Sequence, residues 1–210
     1  MPAPVPYSSS VAEEYDSPET WGRAGDLYKM GEKYFAAGKY PEAVIAYQNA
    51  ARANPKIGAI FQRLGETYFQ LAQYNKAVEA YQNALKSNQH SETYHKMGLA
   101  YEKLNRADDA ISAFKKAVEI NPNAEMSFYE LGKTLRKTGK SVEAVKILEK
   151  ATSLNYNFAP TRYELGLCYL DIGKKFLARD QMQILFNLNS PLAEKLEAEI
   201  GSGYDNFTIH

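Results

Sequence analysis

The sequence predicts an all-α solenoid made of five helix-turn-helix units and a C-terminal capping helix. The first observation is a glycine that recurs at intervals of 34, 33, 34 and 34 residues, at Gly31, Gly65, Gly98, Gly132 and Gly166. The second is an alanine that follows each glycine, at Ala43, Ala77, Ala110, Ala144 and Ala178. The third is that the apolar residues around them lie three and four positions apart, as in an amphipathic helix. A stride of this length is typical of stacked helical units that pack only on their neighbours.

The composition is that of a folded protein without a strong charge bias. Hydrophobic residues make up 45% of the 210 residues, and 25 Lys and Arg balance 25 Asp and Glu. A neutral chain argues against nucleic-acid binding through a global positive field. No apolar run approaches the roughly 20 residues that span a bilayer, so no membrane span is expected.

The start of the chain and its cysteine content bear on location. Residues 1–10 carry neither the basic region nor the apolar region of a signal peptide. A single cysteine, Cys168, excludes an intramolecular disulfide and fits a reducing compartment. We therefore expect a cytoplasmic protein, and a periplasmic protein is the alternative if a leader preceded Met1.

The elements follow one another in a regular order. Residues 1–23 are rich in proline, serine and acidic side chains and are predicted to form a flexible arm, because such a composition buries little apolar surface. In the first unit an amphipathic helix precedes Gly38, the expected left-handed cap, and Pro41 suits the first turn of a second helix. The five units are expected at about residues 24–57, 58–90, 91–124, 125–158 and 159–190, the capping helix at 191–201 and a tail at 202–210.

The recurring small residues are explained by helix packing. Each helix of a pair buries its apolar stripe only by packing on its partner and on the next pair. Where two helix axes approach closely a small side chain is needed, which accounts for the glycines and alanines. Bulky side chains are expected beside these contacts: Tyr34, Tyr68, Tyr101 and Tyr169 from first helices, and Tyr47, Tyr81 and Phe114 from second helices.

This pattern resembles the tetratricopeptide repeat, in which a bulky residue precedes Leu-Gly and Tyr, and the second helix carries Ala, an aromatic residue, Ala and Pro. The second unit matches with Phe61, Leu64, Gly65, Tyr68, Ala77, Tyr81 and Ala84, and the third with Tyr94, Gly98, Tyr101, Ala110, Phe114, Ala117 and Pro122. Gln89 and Tyr156 stand where the closing proline is usual, and Leu135 replaces the tyrosine. The resemblance spans about residues 24–190. It implies a right-handed superhelix with the first helices along its concave side.

The resemblance also implies a partner-binding groove along the first helices. The side chains expected to face it are Tyr28, Glu32, Phe35, Gln62, Glu66, Phe69, His95, Leu99, Glu102, Lys103, Met126, Tyr129, Lys133, Arg136, Lys137, Tyr163, Leu167 and Leu170. The groove is thus expected to be aromatic and acidic at its start, cationic in the fourth unit and apolar in the fifth. Tyr129 and Tyr163 suit binding hot spots, and the fourth-unit cations suit an acidic peptide. The alternatives are aromatic rings that merely cover neighbouring helices and a solvated charged face.

We expect a protein-interaction scaffold that binds a peptide or helix of a partner protein, acidic and aromatic in character, without catalysis or a cofactor. The histidines His90, His95 and His210 lack metal-ligand spacing, and Cys168 is interpreted as a small packed residue. The family's clamp for chaperone C-termini is not expected, because the matching first-helix positions lack its Lys and Asn pair.

Two alternative functions stay open at this point. One is a chaperone or assembly factor for a secretion or pilus-like system, which would bind an aromatic segment of its client. The other is a homo-oligomeric adaptor that self-associates through residues 1–21. In that hypothesis the acidic segment Tyr7–Trp21 occupies the cationic groove of its own or a neighbouring molecule.

Overall fold

The computed structural model describes residues 21–202, and this part of the chain consists of eleven α-helices joined by turns, without a β-strand. The helices are α1 (Arg23–Ala36), α2 (Tyr40–Ala53), α3 (Gly58–Gln70), α4 (Tyr74–Ser87), α5 (Ser91–Lys103), α6 (Ala107–Ile120), α7 (Glu125–Lys137), α8 (Ser141–Leu154), α9 (Ala159–Asp171), α10 (Lys175–Asn187) and α11 (Leu192–Ser202). Eleven helices without a strand in this part of the chain confirm the all-α fold class. Residues 1–20 of the predicted arm and 203–210 of the predicted tail lie outside the described residues.

The chain divides into two compact units between Leu104 and Asn105. The first unit contains α1–α5 and the second contains α6–α11. The division falls between the two helices of the predicted third repeat. The complete helix pairs are therefore α1–α2 and α3–α4 in the first unit, and α7–α8 and α9–α10 in the second.

The turn inside each helix pair of the first unit contains a residue with a left-handed backbone. Gly38 has a φ of 70°, which confirms its predicted role, and the Lys39 N–H donates to the Tyr34 carbonyl at 2.9 Å. Ala72 takes the same place after α3 with a φ of 56°. A residue with a Cβ is strained in this region of backbone conformation. Ala72 is therefore expected to lower the stability of the fold by about 1–2 kcal/mol relative to a glycine at the same position. Both turns fold the second helix back onto the first, against which it packs.

The recurring glycines lie where a second-helix side chain presses on the first helix. A methyl group at Gly31 would lie 2.5 Å from Cε1 of Tyr47, and one at Gly65 would lie 2.6 Å from Cε1 of Tyr81. Both tyrosine rings are buried. In the second unit Leu148 packs in the same way, with its Cγ 2.5 Å from a methyl group at Gly132. The predicted reason for the glycine stride is therefore confirmed at these positions.

The last helix packs directly on α9. The atom nearest to a methyl group at Gly166 is Cδ2 of Leu196, at 2.5 Å, and Leu196 is fully buried. Met182, which follows Gly166 at the spacing of the earlier pairs, is only half-buried. The helix α11 therefore covers the end of the second unit with its apolar side, and exposes Glu194, Lys195, Glu197 and Glu199.

Hydrogen bonds link the second helix of one repeat to the first helix of the next. Gln48 Nε2 donates to the Tyr68 hydroxyl at 2.8 Å, and the Tyr169 hydroxyl donates to Glu149 Oε1 at 2.8 Å. In the fourth repeat Leu135 stands at the tyrosine position and is fully buried. The recurring tyrosines thus add polar contacts that fix how neighbouring repeats stack.

Candidate partner-binding site

The first unit carries a depression of about 290 Å³ between α1, α3 and α5. It is lined by Phe35, Arg63, Glu66, Phe69, Gln70, Tyr81, Lys96 and Leu99. Four of the predicted groove residues, namely Phe35, Glu66, Phe69 and Leu99, therefore line one concave feature. Clefts of this size that combine apolar walls with a few polar groups are the usual form of a binding site.

The apolar walls of this depression are held in place by rings from the adjoining second helices. The Phe35 and Tyr40 rings meet edge to face with centroids 5.3 Å apart, and Phe69 and Tyr74 repeat this contact at 5.3 Å. The Arg63 guanidinium lies 4.4 Å from the centroid of the Phe35 ring. Such edge and cation contacts restrict the two phenylalanines, so the depression is formed before any ligand arrives.

A ladder of ion pairs crosses the same face from α1 to α5. Arg63 contacts Glu32 through Nε at 2.6 Å and Nη2 at 2.9 Å, and its Nη1 lies 2.5 Å from Glu66. Lys96 contacts Glu66 and also Glu92, the latter at 2.5 Å. Burial by itself would raise the pKa of Glu66, but the ion pairs with Lys96 and Arg63 outweigh it and lower that pKa. Glu66 is therefore firmly ionised at neutral pH.

The predicted acidic character at the start of the groove is offset by this ladder. Glu32 also accepts a hydrogen bond from the Tyr47 hydroxyl, and Gln62 donates to Glu66 at 3.3 Å. The cations Arg63 and Lys96 were not among the predicted groove residues. They occupy the same position of successive repeats, 33 residues apart, next to Gln62 and His95. A cation at the same position of two successive repeats is the sequence pattern from which these two groove residues could have been predicted.

The remaining predicted residues of the first unit lie around the depression rather than in it. Tyr28 packs edge to face on Trp21, with centroids 5.2 Å apart, and also contacts Tyr47. Burial, followed by the Glu32 charge, raises the pKa of the Tyr28 hydroxyl to about 12. His95 and Glu102 are half-buried on α5, and Lys103 is exposed.

In the second unit the predicted cations have partners on the same face. Arg136 Nε lies 2.8 Å from Glu164, and its Nη1 lies 3.9 Å from Asp171. Lys133 pairs with Glu130 and lies 5.3 Å from the Tyr129 ring centroid. This pairing leaves less positive charge for an acidic ligand than the sequence predicted. Lys137 is exposed on the last turn of α7.

The predicted aromatic and apolar residues of the second unit are mostly half-buried. Tyr129 meets Phe158 edge to face at 5.4 Å, so part of its ring covers the turn before α9. Tyr163, Leu167 and Leu170 are half-buried on α9, and Met126 is exposed on α7. They belong to the second unit, whereas Phe35 and Phe69 belong to the first.

Cys168 has the environment of a structural cysteine. Its side chain is fully buried, and burial raises the pKa of the thiol to about 12. The thiol is therefore protonated at neutral pH, whereas a nucleophile must be a thiolate. Between residues 21 and 202, no helix has the length and apolar character required to cross a membrane.

Comparisons with known proteins agree with the repeat pattern. Sequence profiles described as tetratricopeptide repeat match residues 28–71, 56–123 and 113–146. A search of curated proteins gave no match.

Similar solved structures include a crystal structure of MamA, with 22% identity, a TM-score of 0.73, and coverage of 89% of this chain and 98% of that one. The crystal structure of YrrB, described as a TPR protein with an unusual peptide-binding site, shares 16% identity with a TM-score of 0.73, over 93% of this chain and 100% of that one. A MamA RS-1 double mutant has 17% identity and a TM-score of 0.75, over 80% and 95%. At these identities the comparisons show a shared fold and nothing further.

Proposed function

Because the chain belongs to the tetratricopeptide repeat family, we propose that it is a non-catalytic scaffold that binds a peptide or helix of a partner protein. The binding site is the depression of the first unit, and an apolar side chain of the partner enters it between Phe35, Phe69 and Leu99. The observation that carries the proposal is the combination of preformed aromatic walls with charges that are already paired.

The lining favours a neutral, apolar anchor over a charged one. Arg63, Glu66 and Lys96 satisfy one another, so a charged ligand would have to break an existing ion pair to gain a new one. An aromatic or branched aliphatic side chain buries its surface against the two phenylalanines without that penalty. Full burial of such a side chain contributes about 1.5–3 kcal/mol. The partner is therefore an apolar peptide motif, and its binding depends weakly on salt.

The resemblance to YrrB supports a peptide ligand for this chain, since that protein is described as having a peptide-binding site. The first unit also has the properties that a binding face requires. Its walls are restrained by Tyr40 and Tyr74, which reduces the conformational entropy lost on binding.

The test is a selection of random peptides against the full-length protein, followed by affinity measurement. We expect the selected peptides to share one aromatic or aliphatic anchor. Leu99→Arg places a charge at the rim of the depression and should weaken their binding about 10-fold to 100-fold, which corresponds to losing one buried apolar anchor. The matched control is Ile45→Arg, since Ile45 is an exposed residue of the same unit that does not line the depression.

Fluorescence anisotropy of labelled peptides measures both variants, and circular dichroism checks that each is folded. Equal affinities for Leu99→Arg and Ile45→Arg would contradict the proposal. So would a set of selected peptides without a shared apolar residue.

A further inference from the structure

A second concave feature lies in the second unit, where the end of α7 and the start of α8 meet the end of α9. It is an open pocket of about 840 Å³, lined by Arg136, Lys137, Gly139, Lys140, Ser141, Val142, Glu143, Lys146, Asp171 and Ile172. We refer to it as the basic pocket. Its volume is within the range of about 300–1,000 Å³ that is common for ligand sites.

The acidic residues of the basic pocket are already engaged. Asp171 accepts a hydrogen bond from Ser141 Oγ at 2.8 Å and lies 3.9 Å from Arg136. Glu143 pairs with Lys115 at 2.7 Å. The pocket lining sets four cationic side chains, Arg136, Lys137, Lys140 and Lys146, against these two carboxylates, so its net charge is positive.

The lysines of the pocket, by contrast, are exposed to solvent and able to contact an acidic ligand. Lys137 and Lys146 are exposed, and no ion pair joins either of them to another residue in the part of the chain that is described. Lys140 contacts Asp108 at 3.2 Å, but the Asp108 side chain is 90% exposed, so this pair contributes little. The first turn of α8 also opens into the pocket and adds the positive end of its helix dipole.

An apolar surface lies among these cations. Val142 is 66% exposed, although its neighbour Ser141 is buried, and the half-buried Ile172 also lines the pocket. A ligand that fits this pocket therefore carries several negative charges around at least one apolar side chain.

We propose that the basic pocket is the docking site of this chain's own acidic segment, residues 11–19. These residues lie outside the described part of the chain, so the assignment uses their sequence alone. They read Val-Ala-Glu-Glu-Tyr-Asp-Ser-Pro-Glu, with acidic residues at 13, 14, 16 and 19 and apolar ones at 11 and 15. The segment thus has both kinds of side chain that the pocket requires.

The basic pocket suits this segment better than the first-helix face of the second unit does. On that face Lys133 is paired with Glu130, and Arg136, which both surfaces share, is paired with Glu164. The pocket adds the exposed side chain of Lys146, which forms no ion pair within residues 21–202. Docking here occupies a surface of the second unit and leaves the depression of the first unit open. The inference therefore stands apart from the proposed function, and either can fail without the other.

The test measures the affinity of a labelled synthetic peptide with the sequence of residues 7–20 for the full-length protein. If the chain's own segment fills the pocket, then neutralising it in the full chain should free the pocket. We expect the variant Glu13→Gln/Glu14→Gln/Asp16→Asn to bind the added peptide at least roughly three-fold more tightly, because apparent affinity scales with the free fraction of sites. This readout is the same whether the segment belongs to the same copy or a neighbouring one.

The pocket itself is tested by charge reversal in that neutralised background. Lys137→Glu/Lys146→Glu should weaken peptide binding about 10-fold, since each reversal turns an attraction into a repulsion. The control is Lys150→Glu/Lys195→Glu, which changes the net charge equally at exposed lysines that do not line the pocket. The inference is overturned if neutralising the segment leaves the peptide affinity unchanged, or if the two charge-reversed variants bind alike.

Discussion

Arg162 stands where each other repeat has a bulky apolar residue four positions before its glycine, at Leu27, Phe61, Tyr94 and Phe128. It is only 4% exposed. Its guanidinium carbon lies 3.9 Å from the centroid of the Tyr156 ring, and Nε donates to the Tyr156 carbonyl at 2.8 Å. Tyr156 itself replaces the usual closing proline. The two departures from the repeat pattern therefore compensate each other, and the planar cation on the ring fills the space of an aromatic side chain.

The buried charge of Arg162 predicts an unusual response to mutation. Burial lowers its pKa, and no carboxylate in residues 21–202 lies within 4.0 Å of it to offset that effect. We expect Arg162→Ala to lower the free energy of unfolding by about 2–4 kcal/mol through the cavity and the lost stacking. Arg162→Phe should stay within about 1 kcal/mol of wild type, because it restores the residue found at Phe61 and Phe128 while removing a desolvated charge. Denaturant unfolding followed by circular dichroism measures both.

The control for this pair is Arg179→Ala, since Arg179 is exposed on α10. Arg179→Ala should leave the free energy of unfolding close to that of wild type. Arg162 also donates from Nη1 to Gln181 Oε1 at 3.1 Å. If Arg162→Phe proved as destabilising as Arg162→Ala, the hydrogen bonds to Tyr156 and Gln181 would be the main contribution, rather than the filled volume.

At the scale of elements, the ion-pair ladder joins the three first helices α1, α3 and α5. Glu66 is the central member, since it binds a cation from its own helix and one from α5. Its pKa is lowered in the folded protein. A carboxyl group of this kind stabilises the fold above its unfolded-state pKa, and the contribution is lost as the pH falls through the folded-state value.

This linkage gives a pH-dependent prediction. At pH 7 we expect Glu66→Gln to cost roughly 1 kcal/mol, because the ladder is partly exposed and its other pairs survive. The difference from wild type should shrink once the pH drops below about 4, near the ordinary pKa of a glutamate. Denaturant titrations at several pH values measure it, with Glu79→Gln on the exposed side of α4 as the control. A cost that stayed constant down to pH 3 would show that the carboxylate charge is not responsible.

The ladder also shows what repeat spacing leaves undetermined. Helix positions and glycine contacts follow from the stride, because a small residue is needed wherever Tyr47 or Tyr81 presses on a first helix. Which long side chain reaches across to the next helix is not set by spacing. Glu32 and Glu66 were predicted to face the groove, whereas their partners Arg63 and Lys96, which reach back to the preceding repeat, were not among the predicted residues.

At the scale of the whole molecule, the even stride of the sequence does not reveal the division between Leu104 and Asn105. Every repeat looks alike in its glycine and alanine, and nothing in that pattern marks the turn between α5 and α6, where the division falls. The candidate site likewise depends on unit-specific side chains. Phe35 and Phe69 make it apolar, whereas the matching repeat positions further along hold Glu102, Arg136 and Leu170.

The last helix is expected to set the stability of the end of the chain. In a repeat array each element is stabilised by its neighbours, so damage to one end stays local. Leu196→Ala would open a cavity against Gly166 and should cost about 2–5 kcal/mol. Hydrogen exchange should then rise in α9, α10 and α11 and stay unchanged in α1–α4. Leu177→Ala, at an exposed leucine of α10, is the control and should leave exchange as in wild type. An increase spread evenly over both units would instead mean that the chain unfolds as one cooperative block, and that α11 supports far more than the repeat on which it packs.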